Sequence, residues 1–137
     1  MTFTLHPQLM ADTAAISDWP LSGVLLMKDK RYPWIVLVPR RAGISEFFEL
    51  DEAAQSTLLA EMARAGERLK TWASTRGGCD KINIGLIGNI VPQLHVHIVA
   101  RTKGDAAWPA PVWGRGEAVP YRTAELEETL ASLRASL

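Results

Sequence analysis

The chain has little of several residue types, and each shortage excludes a class of protein. One cysteine among 137 residues excludes an intrachain disulfide and a cysteine-cluster zinc site. The 15 basic and 15 acidic residues balance, which argues against sequence-independent binding of nucleic acid, because such binding needs a basic surface. No apolar run approaches the roughly 18 residues of a membrane span. No basic stretch precedes an apolar one near the start, so we expect a cytoplasmic protein without a secretion signal.

The composition that remains is that of an ordinary globular domain. Hydrophobic residues make up 47% of the chain, which is enough for a buried core, and the 22% charged residues do not suggest disorder. The length fits one domain. We expect a single domain over residues 1–137, with an N-terminal segment over 1–20 and an irregular tail followed by a helix over 105–137.

Paired strands on either side of a long helix predict the fold class. Short apolar runs bounded by proline or polar residues are typical of strands, and apolar residues spaced three and four apart after Asp51 are typical of a helix. Strands are predicted at 21–29, 34–39, 80–86 and 93–101, and helices at 51–75 and 123–137. This order indicates an α+β domain with an antiparallel sheet, since a doubly wound fold alternates single strands and helices.

The segment QLHVHIVAR, residues 93–101, carries the most chemical information. On a strand, successive side chains point to opposite faces. One face then carries Gln93, His95 and His97, and we expect it to be exposed. The other face is wholly apolar and should face the core; it comprises Leu94, Val96, Ile98 and Ala100.

Two neighbouring imidazoles on a strand are compatible with three roles. One ring can be a nucleophile while the other donates a hydrogen bond to the attacked group. The pair can bind a metal, or both rings can be ordinary polar residues on a solvated sheet face. The preceding loop contains Gly88 and Asn89, and it brings backbone amides near the same face. This proximity favours a functional role.

The same segment resembles the signature of the histidine-triad (HIT) family of nucleotide hydrolases and transferases. That signature reads His-φ-His-φ-His-φφ, where φ is apolar, and here Gln93 stands at its first position while His95 and His97 occupy the other two. The resemblance extends over about residues 21–113. It includes Asn83 before the glycine-containing loop, Asp29 at the end of the first hairpin strand, and Trp108-Pro109 after the triad strand.

The resemblance implies nucleotidyl transfer at an α-phosphate. His95 would attack phosphorus and form a nucleotidyl-histidine intermediate, with a backbone carbonyl fixing its tautomer, and His97 would donate to the phosphate or the leaving group. The remaining implied substrate contacts are Gln93 through its amide, Asn83, Asn89 and Gly88 at the phosphate, and Asp29 at the ribose. A dinucleoside polyphosphate or a nucleoside phosphoramidate, with a purine base, is the implied substrate. No metal and no cofactor is implied, and the family resemblance also implies a homodimer.

Two departures from the family pattern concern the site. The family usually has a further histidine in the second strand, where this chain has Trp34, and Ile90 stands where a serine or threonine often lies. Gln93 can form hydrogen bonds through its amide but cannot take up a proton. We interpret Trp34, Trp108 and Trp113 as packing residues, and the last two as candidates for packing onto a partner subunit.

Two other functions stay open at this point. The departures are compatible with a nucleotide-binding module whose catalysis is weak or lost. Less favoured is a metal-binding protein that uses His95 and His97, since it needs another ligand and only His6 or carboxylates are available.

Overall fold

The computed structural model describes residues 2–137. The chain forms three α-helices, one short 3-10 helix and five strands within that range. In chain order they are α1 (Pro7–Asp12), β1 (Thr13–Asp18), β2 (Ser22–Met27), β3 (Trp34–Pro39), the 3-10 turn (Phe47–Glu49), α2 (Glu52–Ser74), β4 (Lys81–Gly85), β5 (Val96–Arg101) and α3 (Thr123–Ser136). No helix in residues 2–137 is both long enough and apolar enough to cross a bilayer.

The five strands form one antiparallel sheet in the order β1-β2-β3-β5-β4. The hairpin of β2 and β3 and the pair of β4 and β5 lie on either side of α2 in sequence, which confirms the predicted α+β fold class. Strand β1 is not predicted from the sequence, and it pairs with β2 at one edge. Apart from Ile16, its sequence TAAISD is made of small and polar residues, and only its first and fourth positions are buried.

One face of the sheet packs against α2 and α3. The apolar side chains predicted for this face, Leu94, Val96, Ile98 and Ala100, all lie in the same core as Leu58 and Leu69 of α2. Leu133 of α3 closes this core and is almost fully buried. The helix stripe and the strand alternation therefore meet as the sequence predicts, and they fix the orientation of β5.

The helix α2 begins and ends at the residues that the sequence indicates. The carboxylate of Asp51 accepts a hydrogen bond from the amide of Ala54 at 2.8 Å, as a helix N-cap does. After Ser74 the chain turns through Gly77 and Gly78, whose φ angles are +97° and +94°. Glycine adopts this left-handed region without the steric cost that other residues incur.

The other face of the sheet is covered by α1 and by the irregular segment between β5 and α3. Its core contains the aromatic residues Tyr32 and Trp34, with Val36 and Val99 from the central strands. The segment also contributes Val112 and Trp113 to this core. Trp113 and Trp108 make ring contacts within the chain and both stay partly exposed, so their packing onto a partner subunit stays a prediction.

Candidate active site

The two histidines of the signature are buried. His95 and His97 each have 6% of their surface exposed, so the expectation of an exposed sheet face is wrong. Their rings lie edge to face with centroids 4.8 Å apart. The strand begins only at Val96, so Gln93, Leu94 and His95 precede it rather than continuing it. The pair therefore lies where the chain enters β5, at a junction between a loop and a central strand.

The contact of His95 with the backbone determines which of its ring nitrogens is free. Nδ1 of His95 lies 2.7 Å from the carbonyl oxygen of Gln93, which is the carbonyl contact that the resemblance implies. A carbonyl oxygen only accepts, so Nδ1 carries the proton. In the neutral ring Nε2 then keeps its lone pair, and the ring lines a large cavity.

The contact of His97 produces the opposite arrangement. The indole Nε1 of Trp34 donates a hydrogen bond to Nδ1 of His97 at 3.0 Å. Burial first, and then the neighbouring His95, lower the pKa of His97 from its ordinary value of 6.5 to about 3. Because Nδ1 accepts from the indole, the proton of the neutral His97 ring sits on Nε2.

Trp113 covers the histidine pair from the irregular segment. Its ring centroid lies 5.6 Å from that of His97 and 6.5 Å from that of Trp34. A Cβ atom on Gly85 would come within 2.9 Å of the Trp113 ring, so Gly85 leaves the space that this ring needs. The buried Nε1 of Trp113 has no hydrogen-bond partner among residues 2–137. Trp34 and Trp113, which the sequence indicates only as packing residues, both contact His97.

A cavity of about 1070 Å³ opens beside the pair. Its wall includes both histidines together with Gly88, Asn89 and Asp29 of the predicted set. The cations Lys28, Arg31 and Arg115 also line it, and the carboxylates of Asp12, Asp29 and Glu127 balance their charge. A second cavity of about 230 Å³ lies on the other side of the Gly88–Asn89 loop, and Gln93 and His95 line it. The loop therefore separates two spaces that share His95.

The carboxylate of Asp29 makes more hydrogen bonds within the protein than the sequence indicates. Its carboxylate accepts hydrogen bonds from the guanidinium of Arg31 and from the amides of Arg31 and Val119. Burial raises the pKa of Asp29, but the hydrogen bonds from Arg31 and Val119 outweigh it, and the net pKa is lowered. The residue ties the hairpin end to the irregular segment while its side chain lines the cavity.

Asn83 is not brought to either cavity. It lies on β4, and its side-chain oxygen accepts a hydrogen bond from Arg101 at 2.9 Å. Arg101 also binds the carboxylate of Asp105 through two nitrogens, at 2.7 and 3.0 Å, and this ion pair is buried. The Arg101 hydrogen bond holds the pKa of Asp105 down to about 2. Asn83 thus belongs to the group that anchors the irregular segment onto the sheet.

The side chain of Gln93 holds the N-terminal segment. Its Oε1 accepts from the amide of His6 at 2.8 Å, and its Nε2 donates to the carbonyl of Thr4 at 2.9 Å. The ring of His6 caps α1, since its Nδ1 accepts from the amide of Gln8. Gln8 and Leu9 of α1 line the cavity, so Gln93 fixes one of its walls. Within residues 2–137, no three His, Cys, Asp or Glu side chains cluster closely enough to hold a metal ion.

Comparison with known proteins identifies the chain's relatives. The sequence profile of the HIT domain matches residues 8–104. No curated protein sequence matches the chain. Among solved structures, a histidine triad protein from Bradyrhizobium japonicum is 46% identical with a TM-score of 0.93, and 99% of this chain and 98% of that one are covered.

Two further crystal structures are similar over nearly the whole chain. A histidine triad protein from Sinorhizobium meliloti 1021 is 43% identical with a TM-score of 0.93, covering 99% of this chain and 98% of its own. One from Marinobacter aquaeolei VT8 is 42% identical with a TM-score of 0.90, covering 100% and 97%. Together with the profile match over residues 8–104, these likenesses show that the chain belongs to the histidine-triad (HIT) family, a family of nucleotide-binding hydrolases and transferases.

Proposed function

We propose that this protein is a nucleotide hydrolase or nucleotidyl transferase that acts at an α-phosphate through an intermediate on His95. The substrate class is a phosphoric anhydride, such as a dinucleoside polyphosphate, or a nucleoside phosphoramidate, with a purine base. The observation that carries the proposal is the contact of His95 Nδ1 with the Gln93 carbonyl, 2.7 Å away, in a ring that lines the cavity. This contact leaves Nε2 as the nucleophilic atom.

The chemistry takes two displacements. Nε2 of His95 forms a bond to phosphorus, and the bond from phosphorus to the leaving group breaks. Water then attacks phosphorus and loses a proton to the solvent, while the bond to Nε2 breaks and its electron pair returns to the ring. The Nε2–H of His97 donates to a phosphoryl oxygen as negative charge develops, because the two ring centroids are only 4.8 Å apart.

Cationic side chains on the cavity wall are candidate phosphate contacts, although three carboxylates on the same wall balance their charge. Lys28, Arg31 and Arg115 line the same cavity as the histidines. We propose that Asn89 and the backbone around Gly88 contact the phosphate, since both residues line the wall beside His95. Asp29 remains a candidate for the ribose hydroxyls, although Arg31 and Val119 already donate to its carboxylate. For Asn83 we propose no substrate contact, because it lines neither cavity.

Gln93 is proposed to take the place of the first triad histidine. The hydrogen bonds of its side-chain amide with Thr4 and His6 support a role in positioning the N-terminal wall of the cavity rather than in moving protons. We also propose a single domain that works in the cytoplasm as a homodimer. The unpaired edge of β4 supports a dimer, as do the exposed apolar side chains Leu59, Ile84 and Leu86.

The variant His95→Ala tests the proposal. We expect kcat to fall by about 10³-fold or more on every nucleotide that the parent protein cleaves, since the nucleophile is lost. Circular dichroism and the unfolding midpoint check that the variant folds. Activity like that of the parent would refute the assignment. Calorimetric binding of AMP by a parent protein that turns over neither anhydrides nor phosphoramidates would identify a binding module instead.

A further inference from the structure

The hydrogen bond to His97 limits what this ring can do in the reaction. An indole N–H is a donor only, so Nδ1 of His97 must present a lone pair to Trp34 at 3.0 Å. His95 has its proton on the opposite nitrogen, because its Nδ1 faces a carbonyl oxygen. The two neighbouring rings are therefore held in different tautomers, one with a free lone pair and one with a free N–H at Nε2.

A neutral imidazole with its single proton on Nε2 can donate a hydrogen bond but is a poor proton source. Giving that proton away would leave an imidazolate anion in a buried site. Becoming an acid by gaining a second proton would place an N–H on Nδ1 against the N–H of Trp34. Burial and His95 already lower the pKa of His97 to about 3, so near neutral pH the ring is uncharged.

The side chains that contact the two rings cannot donate a proton in place of His97. Trp34 and Trp113 contact His97 and do not titrate, and the amide of Gln93 does not titrate either. Other cavity residues with a proton to give or take are Asp12, Lys28, Asp29, Tyr121 and Glu127. Within residues 2–137, none of these five makes a hydrogen bond or a ring contact with either imidazole.

We propose that Trp34 is a positioning residue that fixes His97 as a neutral hydrogen-bond donor, and that the site therefore cleaves phosphoric anhydrides in preference to phosphoramidates. This inference rests on the function proposed above and narrows its substrate class. In an anhydride, Nε2 of His95 bonds to phosphorus while the P–O bond breaks. The phosphate leaving group departs with the electron pair as an anion that is stable at neutral pH. The Nε2–H of His97 stabilises the charge without being transferred.

Cleavage of a phosphoramidate requires a proton for the leaving group. Its P–N bond breaks, and the departing nitrogen must gain a proton because an amide anion is too basic to leave. General acid catalysis of such a step is worth about 10²–10⁴ in rate. Since His97 does not supply it, we expect kcat/KM for a phosphoramidate to be about 100-fold or more below that for an anhydride.

The test combines kinetics with nuclear magnetic resonance on the full chain. Diadenosine triphosphate and adenosine 5′-phosphoramidate serve as the two substrates at one pH near neutrality. The proteins are the parent, Trp34→Phe, Trp34→His and the control Trp113→Phe, which alters a ring against His97 that has no hydrogen bond to it. Long-range ¹H–¹⁵N spectra of the imidazoles report the tautomer of His97 without any turnover.

The expected results separate positioning from packing. The parent and Trp113→Phe show His97 with its proton on Nε2, whereas Trp34→Phe shows a mixture of tautomers. Trp34→His offers Nδ1 a titratable partner, so the ratio of phosphoramidate to anhydride kcat/KM rises by about 10-fold or more. If that variant fails to fold, Trp34→Phe still decides the tautomer.

Three results would overturn the inference. They are a parent His97 protonated on Nδ1, an unchanged tautomer in Trp34→Phe, and a parent that cleaves the phosphoramidate as fast as the anhydride. Turnover of neither substrate would refute the proposed function and the preference together, and the spectra would then still decide the role of Trp34.

Discussion

The two faces of the sheet are covered in different ways. The face toward α2 and α3 is closed by apolar side chains such as Leu58 and Leu133, at positions set by helix and strand periodicity. The opposite face is closed by a segment without regular structure, which is held by a small number of polar contacts around Arg101 and Asp29. The difference teaches that the two faces depend on different kinds of contact. Periodic packing builds the support, and long-range polar anchors build the cavity.

Among the variants that distinguish the two faces of the sheet, Asp105→Asn is expected to have the largest effect. Arg101 is nearly fully buried, and removing the charge of its partner leaves a guanidinium without its counterion. We expect the free energy of unfolding to fall by about 3 kcal/mol, as for other broken buried ion pairs. The anchored segment should also loosen over His97, which would raise KM more than it lowers kcat. Chemical denaturation and steady-state kinetics measure the two effects.

Asp80→Asn is the matched control for this variant. Asp80 is exposed, and its carboxylate accepts one hydrogen bond, from the amide of Lys103 at 2.9 Å. Its loss should cost about 1 kcal/mol or less. Equal destabilisation by the two variants would contradict the view that Arg101 and Asp105 form the main anchor of the cavity face.

Lowering the pH should reduce the free energy of unfolding through a group on the cavity face, His97. The pKa of His97 is about 3 in the folded chain against an ordinary value of 6.5. Between these values the unfolded chain binds a proton that the folded chain does not, so the free energy of unfolding falls as the pH falls. For one group the slope is at most about 1.4 kcal/mol per pH unit.

The window from pH 6.5 to 4.5 isolates this effect. The pKa values of Asp29 and Asp105 are lowered from 3.8, so the stability that these carboxylates contribute is present above that value and is lost only at lower pH. Denaturant titrations of the parent and of His97→Gln across the window give the slope. A variant with the same slope as the parent would show that another group is responsible.

The smallest effect is expected from Gln93→Ala. The variant removes the two hydrogen bonds that the Gln93 side chain makes with the backbone of Thr4 and His6. Their loss should cost about 1–2 kcal/mol of local stability. Hydrogen exchange at the His6 amide should speed up about 10-fold, because that amide loses its acceptor. Gln8→Ala is the control, since the side chain of Gln8 bonds to the exposed Asp12 and the variant keeps the backbone amide that donates to His6. No change at the His6 amide in Gln93→Ala would refute the positioning role.

The same comparison explains how much the sequence could predict. Local patterns sufficed for α2, whose start at Asp51 and end before Gly77 follow from capping and glycine. They also sufficed for β3, since Trp34–Pro39 is a short apolar run that ends at proline. Strand β1 was missed because an edge strand with two buried residues carries little periodicity. The predicted start of β5 was three residues early, because the alternation of Gln93 and His95 continues into a loop that does not pair.

The sequence predicts that the two histidines of the candidate site lie together, but it does not predict the residues around them. His95 and His97 stand together in the sequence, so their pairing on one face could be read directly. Trp34 is 63 residues from His97, and its indole hydrogen bond depends on the register of β3 against β5. The burial of the pair depends on a segment whose path is set by Arg101, Asp105 and Gly85 rather than by any period. Such contacts belong to tertiary structure, and no short motif encodes them.

Trapping the intermediate tests the central claim most directly. The protein is mixed with a dinucleoside polyphosphate labelled at the α-phosphate and quenched within the first turnover under alkaline denaturing conditions, which preserve a phosphorus–nitrogen bond. The account predicts one nucleotidyl group per chain, located by peptide mass spectrometry on His95 and absent in His95→Ala. Label on any other residue, or unlabelled protein at a time when the first product has already formed, would contradict it.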